Sequence, residues 1–200
     1  MRRGVILMIV ALLSVVTASA QRSAGEWLEA LDRSLGQRYG FYVEMSMEEQ
    51  PIRGYFMVDG DGYYLTLGVM EVYSDGKVRQ EINNDRKEVT IDRVDNSSGD
   101  LLTNPTRAFD FADEEFVVSV AETLDAGCRL SLVPRDDSTG IVEISLVLEN
   151  KDGVVVPRSI SYNYDGEGYL LSLTVADVSQ TKLPRWNKED YRAYDTVSFL

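Results

Sequence analysis

The sequence contains no histidine and only one cysteine, Cys128. Histidine is the commonest metal ligand and a frequent general base, so the sequence predicts no metal site and no cofactor. Serine–histidine and cysteine–histidine catalysis are excluded within this chain. A single cysteine cannot form an internal disulfide bond. Because it falls where a strand is predicted to begin, we expect a buried structural thiol rather than a reactive one.

Positive charge is also scarce. The chain has 20 lysine and arginine residues against 33 acidic residues, which gives a formal net charge of −13. A protein this acidic repels nucleic acids and anionic membrane surfaces, so we exclude nucleic acid as a partner. A carboxylate enzyme such as a glycosidase stays open, but it would need two acids at a fixed separation in one cleft. With so many acids, the sequence identifies no such pair, and we expect no enzyme.

The first twenty residues have the pattern of a secretory signal peptide. Two arginines precede an apolar run over 5–16, and the small residues of 17–20 form an A-x-A cleavage site. We predict cleavage after Ala20, which leaves an exported, soluble domain of residues 21–200. A transmembrane anchor is the alternative, but the run is shorter than the ~20 residues of a spanning helix. No cysteine lies at the cleavage site, so we expect no lipid anchor.

The length of the remaining chain predicts one domain, which begins with an amphipathic helix. Ser23 and Glu26 form a capping box, in which each side chain satisfies a free amide of the other residue. Apolar residues then recur at helical spacing, at Trp27, Leu28, Leu31 and Leu35. We predict that this helix ends at Gly36 or Gly40.

Beyond this helix the apolar period changes from 3.6 to 2, which predicts short strands separated by turns. This pattern is typical of an antiparallel meander that curls into a barrel or a sandwich. About eleven strands are predicted: Tyr39–Met47, Ile52–Val58, Tyr63–Leu67, Met70–Tyr73, Val78–Ile82, Glu88–Val94, Cys128–Pro134, Ile141–Leu148, Val154–Tyr164, Tyr169–Val178 and Thr196–Leu200.

The middle of the chain interrupts the strands with two predicted helical stretches. The first lies within 101–111, where Pro105 suits a first helical turn. The second begins with the acids at 113–115, carries Phe116, Val117, Val120 and Leu124, and is stopped by Gly127. Near the C-terminus, the segment 183–194 is predicted to be a proline-containing linker with a turn of helix.

The acidic clusters have a structural explanation. Asp59-Gly60-Asp61-Gly62 and similar clusters could indicate calcium, but none has the twelve-residue ligand spacing with a closing glutamate. Asp-Gly pairs are what hairpin turns require, so we predict turns. Asn96-Ser97-Ser98 fits a glycosylation sequon, and we treat it as a loop tripeptide.

The apolar residues leave two arrangements open. One face of the curled sheet can be filled by side chains to form an ordinary core, or the helices can cover an open cavity. The sequence alone favours the filled core, and four methionines shift the balance slightly towards a cavity, because flexible thioethers accept varied apolar ligands. They are Met45, Met47, Met57 and Met70.

The order of segments resembles that of the LolA-type periplasmic lipoprotein carriers. The stretch 69–77 is similar to the family's strand-turn-strand with its Ser-Asp-Gly turn, here at 74–76. Residues 87–92 are similar to the next strand, and 101–111 to the helical segment after it. The combination is similar to that of LolA-like carriers of Bacteroidetes-type bacteria.

This resemblance implies a fold and an activity. The fold is an open, incomplete antiparallel β-barrel, mainly β in class, with helices over its concave apolar face. The activity is that of a monomeric periplasmic chaperone, which buries the acyl chains of lipoproteins and delivers them to the outer membrane. The implied partners are an inner-membrane release machine and an outer-membrane acceptor.

One feature departs from the family. Other members carry an Arg-Pro pair in the strand before the Ser-Asp-Gly turn, and that arginine helps to fasten the helical lid. The corresponding region here, 58–64, has neither residue. Arg53 lies one strand earlier, and we do not transfer the role to it.

The alternation of apolar residues gives twelve candidates for the acyl-chain cavity. A register error of one residue would exchange the whole set on the strands. The candidates lie on the first helix, the sheet and the central lid: Trp27, Leu31, Leu35, Phe41, Val43, Met45, Phe56, Leu65, Leu67, Leu101, Leu102 and Phe109. The alternative function is a secreted, non-enzymatic protein-interaction module with a filled β core, which the eleven tyrosines and the acidic surface suit.

Overall fold

The computed structural model describes residues 22–47, 50–97, 99–110, 115–136, 140–165 and 167–200. The predicted signal peptide and its cleavage site lie outside these ranges. So do the acids at 113 and 114 and the last residue of the sequon. Within the described residues, no helix has the length and apolar content needed to span a bilayer.

The predicted first helix is confirmed as α1 (Ala24–Leu35). The Ser23 side chain accepts the N–H of Glu26 at 3.3 Å, and the Glu26 carboxylate accepts the N–H of Ser23 at 2.7 Å. This is the predicted capping box, and it satisfies the first free amides of the helix. Gly36 ends the helix with a φ of 61°, a conformation that favours glycine.

Twelve strands follow α1, and eleven of them match predicted strands. A short 3₁₀ helix, Lys188–Tyr191, lies in the predicted C-terminal linker. The strands are β1 (Arg38–Met45), β2 (Ile52–Asp59), β3 (Gly62–Leu67), β4 (Met70–Ser74), β5 (Val78–Asn83), β6 (Glu88–Arg93), β7 (Phe116–Leu124), β8 (Gly127–Pro134), β9 (Glu143–Lys151), β10 (Val154–Tyr164), β11 (Glu167–Val175) and β12 (Asp195–Ser198).

All twelve strands form one sheet in the order β12-β6-β5-β4-β3-β2-β1-β11-β10-β9-β8-β7. Neighbouring strands are antiparallel except β12, which runs parallel to β6. The sheet does not close, because β12 and β7 are its two edges. The predicted class, an open antiparallel sheet with helical cover, is confirmed, although α1 is the one α-helix among the described residues.

The register assigns the side chains to two faces of the sheet. Phe41 on β1 lies opposite Phe56 on β2, which lies opposite Leu65 on β3. On the other side of β1, Met45 lies opposite Leu171 on β11, which continues to Ile160 on β10. We call the face that carries these residues the inner face, and the opposite one the outer face. The inner face is the predicted concave apolar face.

The prediction of a helix between the acids at 113–115 and Gly127 is wrong, because residues 116–124 form strand β7. Phe116, Val118 and Val120 alternate onto the main apolar cluster, with a bulge after Val120. Two apolar periods were compatible with the sequence here, and β-branched valines favour the strand. Pairing with β8 therefore prevails over the helical spacing.

The helix predicted within 101–111 is also wrong for the described part, where residues 101–109 form successive turns. The amides of Thr103 and Asn104 both donate to the carbonyl of Asp100. The Asn104 side chain in turn accepts the N–H and the hydroxyl of Thr106. Such side-chain bonds compete with helical ones, which explains the irregular path.

Gly54 on β2 allows the close approach of β3. A Cβ atom added there would lie 2.0 Å from the carbonyl oxygen of Thr66. We expect Gly54→Ala to lower the free energy of unfolding by about 1–3 kcal/mol, as overpacked sites do. At Gly25 in α1 an added Cβ meets nothing within 4 Å, so Gly25→Ala is the control and should stabilise by up to about 1 kcal/mol. Urea denaturation measures both, and an equal stability of the two variants would contradict this assignment.

Candidate functional site

The inner face carries one large apolar cluster, which brings together the predicted cavity residues. Eleven of the twelve belong to it: Trp27, Leu31, Leu35, Phe41, Val43, Met45, Phe56, Leu65, Leu101, Leu102 and Phe109. The twelfth, Leu67, is buried as well. Of the four methionines, Met45 and Met70 pack on this cluster, Met57 is buried on the outer face and Met47 is exposed.

Aromatic rings line the centre of this cluster. The ring centroids of Phe41 and Phe56 are 5.4 Å apart. Phe109 lies 6.0 Å from Phe41 and 6.1 Å from Tyr39. Phe109 thus connects the region after β6 to the middle of the sheet, at distances typical of favourable ring pairs.

The cluster is closed and packed in this structure. Leu31, Phe41, Phe56, Leu65 and Leu101 are each at most 1% exposed. Three clefts are found among the described residues, and none of them is lined by a predicted cavity residue. Two lie on the outer face, and the third lies beside the inner face, where Thr106 meets Tyr39 and Val58. That the predicted cavity residues contact an acyl chain therefore stays a prediction, and it requires the cover to move.

Two elements cover the inner face. One is α1, where the Ser34 hydroxyl accepts the N–H of Val155 on β10 at 3.0 Å. The other is the irregular stretch 99–110, which we call the covering segment. Within the segment, Leu101 and Ala108 are fully buried.

The covering segment is fastened to β10 and β11 by three tyrosines. The Tyr162 hydroxyl accepts the N–H of Leu101 at 2.9 Å and donates to the carbonyl of Gly99 at 3.2 Å. The hydroxyls of Tyr164 and Tyr169 both donate to one oxygen of the Asp100 carboxylate. Asp100 is only 9% exposed, so these bonds replace water around a buried acid.

A second set of side chains fastens the segment from the other half of the sheet. Tyr39 on β1 donates to the carbonyl of Pro105 at 3.1 Å. Tyr63 on β3 and Arg79 on β5 both donate to the carbonyl of Thr103, at 3.3 and 3.4 Å. Arg79 also pairs with Glu81. An arginine therefore holds the cover, although it lies on β5 and not where the family resemblance places one.

The tyrosines stay protonated well beyond neutral pH. Burial raises the pKa of Tyr162, Tyr164 and Tyr169, and the charge of Asp100 raises it further. Burial likewise raises the pKa of Tyr39. All four hydroxyls are therefore available as donors under ordinary conditions, and these contacts do not change near neutral pH.

Sequence reasoning missed these fastening residues. A usable signal was present, since Tyr162, Tyr164 and Tyr169 lie at inward positions of predicted strands. A buried tyrosine hydroxyl needs a polar partner. The sequence alone did not indicate that Asp100 and backbone groups of the covering segment would be those partners.

The described part of the chain offers little support for a metal site or a reactive thiol. It contains no group of three or more cysteine, aspartate and glutamate residues placed to hold a metal ion. Cys128 is buried, with a free thiol and 1% exposure. Burial raises the pKa of this thiol to about 11.

No protein-family model and no curated protein sequence matches the chain. An uncharacterized conserved protein from Thermus thermophilus has a similar structure, with a TM-score of 0.53 and 10% identity over 88% of this chain and 98% of the other. A putative outer membrane lipoprotein-sorting protein domain from Vibrio parahaemolyticus covers 85% of this chain and 97% of its own, at 13% identity and a TM-score of 0.41. A LolA superfamily protein from Nitrosomonas europaea covers 86% and 98%, at 11% identity and a TM-score of 0.37.

The open antiparallel sheet with its covered apolar face is the architecture that the sequence resemblance implies. At 10% identity, the likeness to the Thermus protein concerns the fold alone.

Loss of one fastening bond should loosen the covering segment without unfolding the sheet. A hydrogen bond to a charged group contributes about 1.5–3 kcal/mol. We therefore expect Tyr169→Phe to speed amide hydrogen exchange in residues 101–108 by about tenfold or more. Mass spectrometry of deuterated peptides measures this. Tyr42→Phe is the control, since Tyr42 is 59% exposed on the outer face. Equal exchange in both variants would show that the bond does not hold the segment.

The buried thiol should be inert in the folded protein. At pH 8 we expect Cys128 to react with a chromogenic disulfide reagent only after unfolding in urea. Because the folded-state pKa is raised, its contribution to stability is present below the thiol's ordinary pKa of about 8.5 and is lost as the pH rises through about 11. Rapid labelling at pH 8 without denaturant would contradict the predicted structural role.

Proposed function

We propose that the protein is a non-enzymatic periplasmic carrier of lipoprotein acyl chains. The chains would lie between the inner face of the sheet and its cover, in contact with the twelve predicted residues. Delivery to an outer-membrane acceptor would follow. The resemblance of the sequence to LolA-type carriers and the open sheet with its covered apolar face support this proposal.

One observation carries the proposal. A broad apolar face, which ordinary proteins close with regular packed elements, is here closed partly by a segment without regular structure. This segment is held by side chains that reach it from β1, β3, β5, β10 and β11. Detaching the segment breaks those contacts but leaves the ladder bonds of the sheet intact, so the apolar face can open while the fold persists.

The energies are consistent with reversible binding. Each buried methylene contributes about 0.8 kcal/mol, so one chain of roughly sixteen carbons would contribute on the order of 12 kcal/mol. Opening breaks seven hydrogen bonds to the covering segment. Four are neutral, at roughly 1 kcal/mol each, and three involve a charged group, at roughly 1.5–3 kcal/mol each, so the loss of them all costs about 9–13 kcal/mol. One chain therefore roughly offsets the cost of opening, and a lipoprotein that buries more than one chain binds with a net affinity from which it can be released.

The second candidate is a secreted interaction module with a filled core. The packing of the inner face favours it, because Phe56 and Leu65 are completely buried among protein atoms. The two candidates differ in one property: a carrier opens and binds amphiphiles, whereas an interaction module keeps its inner face closed.

The test uses the protein purified after export in a bacterial host. Mass spectrometry of an organic extract should find acyl lipid or acylated peptide in stoichiometric amount. A synthetic lipopeptide with an acylated N-terminal cysteine should bind the delipidated protein, and the same peptide without acyl chains should not. A clean extract together with no lipopeptide binding would refute the carrier and favour the interaction module.

Variants distinguish the contribution of the cover from that of the cavity wall. Phe109→Glu places a charge at a partly exposed position of the cavity wall, and we expect lipopeptide binding to fall at least tenfold. Leu31→Glu is less suitable, because Leu31 is 1% exposed and a charge there should destabilise the whole fold. Tyr169→Phe lowers the cost of opening, so it should tighten binding by up to about tenfold for each 1.4 kcal/mol removed. Tyr42→Phe should change nothing.

A further inference from the structure

The C-terminal part of the chain forms a strap over the outer face of the sheet. Leu183 packs against the small outer-face cluster of Met57, Ala176 and Val178. Further along, the hydroxyls of Tyr191 and Tyr73 are 3.0 Å apart, and Tyr194 donates to the Asn84 side chain at 3.0 Å. Strand β12 then extends the sheet beside β6. The strap, which we define as residues 179–200, is therefore attached at several points.

Between the strap and the sheet lies a cleft of about 480 Å³. Its strap wall is mainly apolar and aromatic, with Leu183, Pro184 and Trp186 beside Arg185. Tyr73 and Gln80 come from the sheet. The turn end of the cleft is acidic, with Asp59, Asp61 and Asp75. Such a combination of an apolar wall and a few polar groups is typical of ligand sites, which commonly have volumes of about 300–1,000 Å³.

Two of the three acids have their charge available to a ligand. Asp59 pairs with Arg38 at 3.4 Å. Asp75 accepts the N–H groups of Val78 and Lys77, which hold its pKa below the usual value and keep it ionised. Asp61 takes part in none of the ion pairs found among the described residues. An added Cβ at Gly76 would lie 2.6 Å from Asp61, so glycine lets the two acidic turns pack together.

The indole of Trp186 supplies an independent observation. Its Nε1 is buried and has no hydrogen-bond partner in the described part of the chain. A buried donor without an acceptor costs about 1–3 kcal/mol. A small rearrangement of the strap would allow the indole to donate to the carbonyl of a bound peptide.

We propose that this cleft binds a lysine or arginine side chain in an extended segment of a partner protein. The carboxylates of Asp61 and Asp75 would accept charge-assisted hydrogen bonds from the cation. The aromatic and proline wall would pack on its aliphatic stem. The cleft is larger than one side chain, so it also accommodates the flanking residues. This site is on the opposite face from the proposed cavity and does not depend on the carriage of acyl chains.

A neighbouring cleft restricts which segments fit. It lies on the other side of Leu183, has a volume of about 470 Å³, and contains Arg38, Lys182 and Arg185 against the single acid Asp59. A second cation in the ligand would be repelled there. Long-range attraction to the net charge of −13 would favour a strongly basic tail. The repulsion in the neighbouring cleft acts against such a tail, so the site favours a segment with one basic residue.

The test follows the two indole N–H signals in a nitrogen–proton correlation spectrum of the purified protein. The chain has only two tryptophans, and Trp27 lies on the inner face as an internal reference. The probe is the peptide acetyl-Ala-Ala-Arg-Ala-Ala-amide, compared with the same peptide carrying norleucine instead of arginine. We expect the arginine peptide to shift the Trp186 signal and leave that of Trp27 unchanged, and the norleucine peptide to bind at least tenfold more weakly.

Variants make the test specific. Asp61→Asn should weaken binding of the arginine peptide about tenfold. Asp75→Asn should have a similar effect, and its amide oxygen can still accept the N–H groups of Lys77 and Val78 in the turn. Asp125→Asn is the matched control, because it removes the same charge from the exposed turn after β7 and should have no effect. No shift at Trp186, equal binding of the norleucine peptide, or equal effects of the Asp61 and Asp125 variants would overturn the proposal.

Discussion

The pairing of β1 with β2 on one side and with β11 on the other is the constraint on which the rest of the structure depends. It joins two antiparallel meanders into a single sheet and places Phe41, Val43 and Met45 on the same side. Because side chains alternate, a slip of one residue at β1 would turn this apolar row toward the outer face. Neither meander alone would then have a continuous apolar surface for α1 and the covering segment to pack on.

The second constraint concerns backbone polarity. An irregular segment that lies on an apolar core must satisfy amides and carbonyls that no ladder reaches. Here the hydroxyls of Tyr39, Tyr63 and Tyr162 do this from the sheet, while their rings contribute to the apolar cluster. Phenylalanine at these positions would fill the same space but leave the backbone groups unpaired. The same tyrosines therefore explain why the covering segment can be buried without unpaired backbone groups. They also explain why it can detach, since it is held by side chains and not by the ladder bonds of the sheet.

The sequence predicts an element correctly where local residues determine it, and fails where pairing with a distant part of the chain does. The capping box, the Asp-Gly turns and the period of two placed α1 and eleven strands, because each of these depends on local chemistry. The same local signals failed at 101–124. There Val117 and Val120 fit a helical stripe as well as a strand, and pairing with the distant β8 decided the outcome. The fastening of the cover could not be derived, since Asp100 meets Tyr169 across 69 positions of sequence.

Because side chains alternate along a strand, neighbouring residues of one strand serve the two proposed sites on opposite faces of the sheet. On β3, Gly62 lines the outer cleft, while the hydroxyl of the adjacent Tyr63 holds the covering segment on the inner face. A Cβ at Gly62 would lie 2.9 Å from the Leu183 side chain, so the strap rests directly on this point of the sheet. Displacement of β3 at these two residues would connect a ligand in the outer cleft to the cover. Strand β5 offers a second route, because Gln80 lines the cleft and the adjacent Arg79 holds the cover. If such coupling exists, it is reciprocal, because a cover that shifts β3 when it opens must change the affinity of the outer cleft by the same factor.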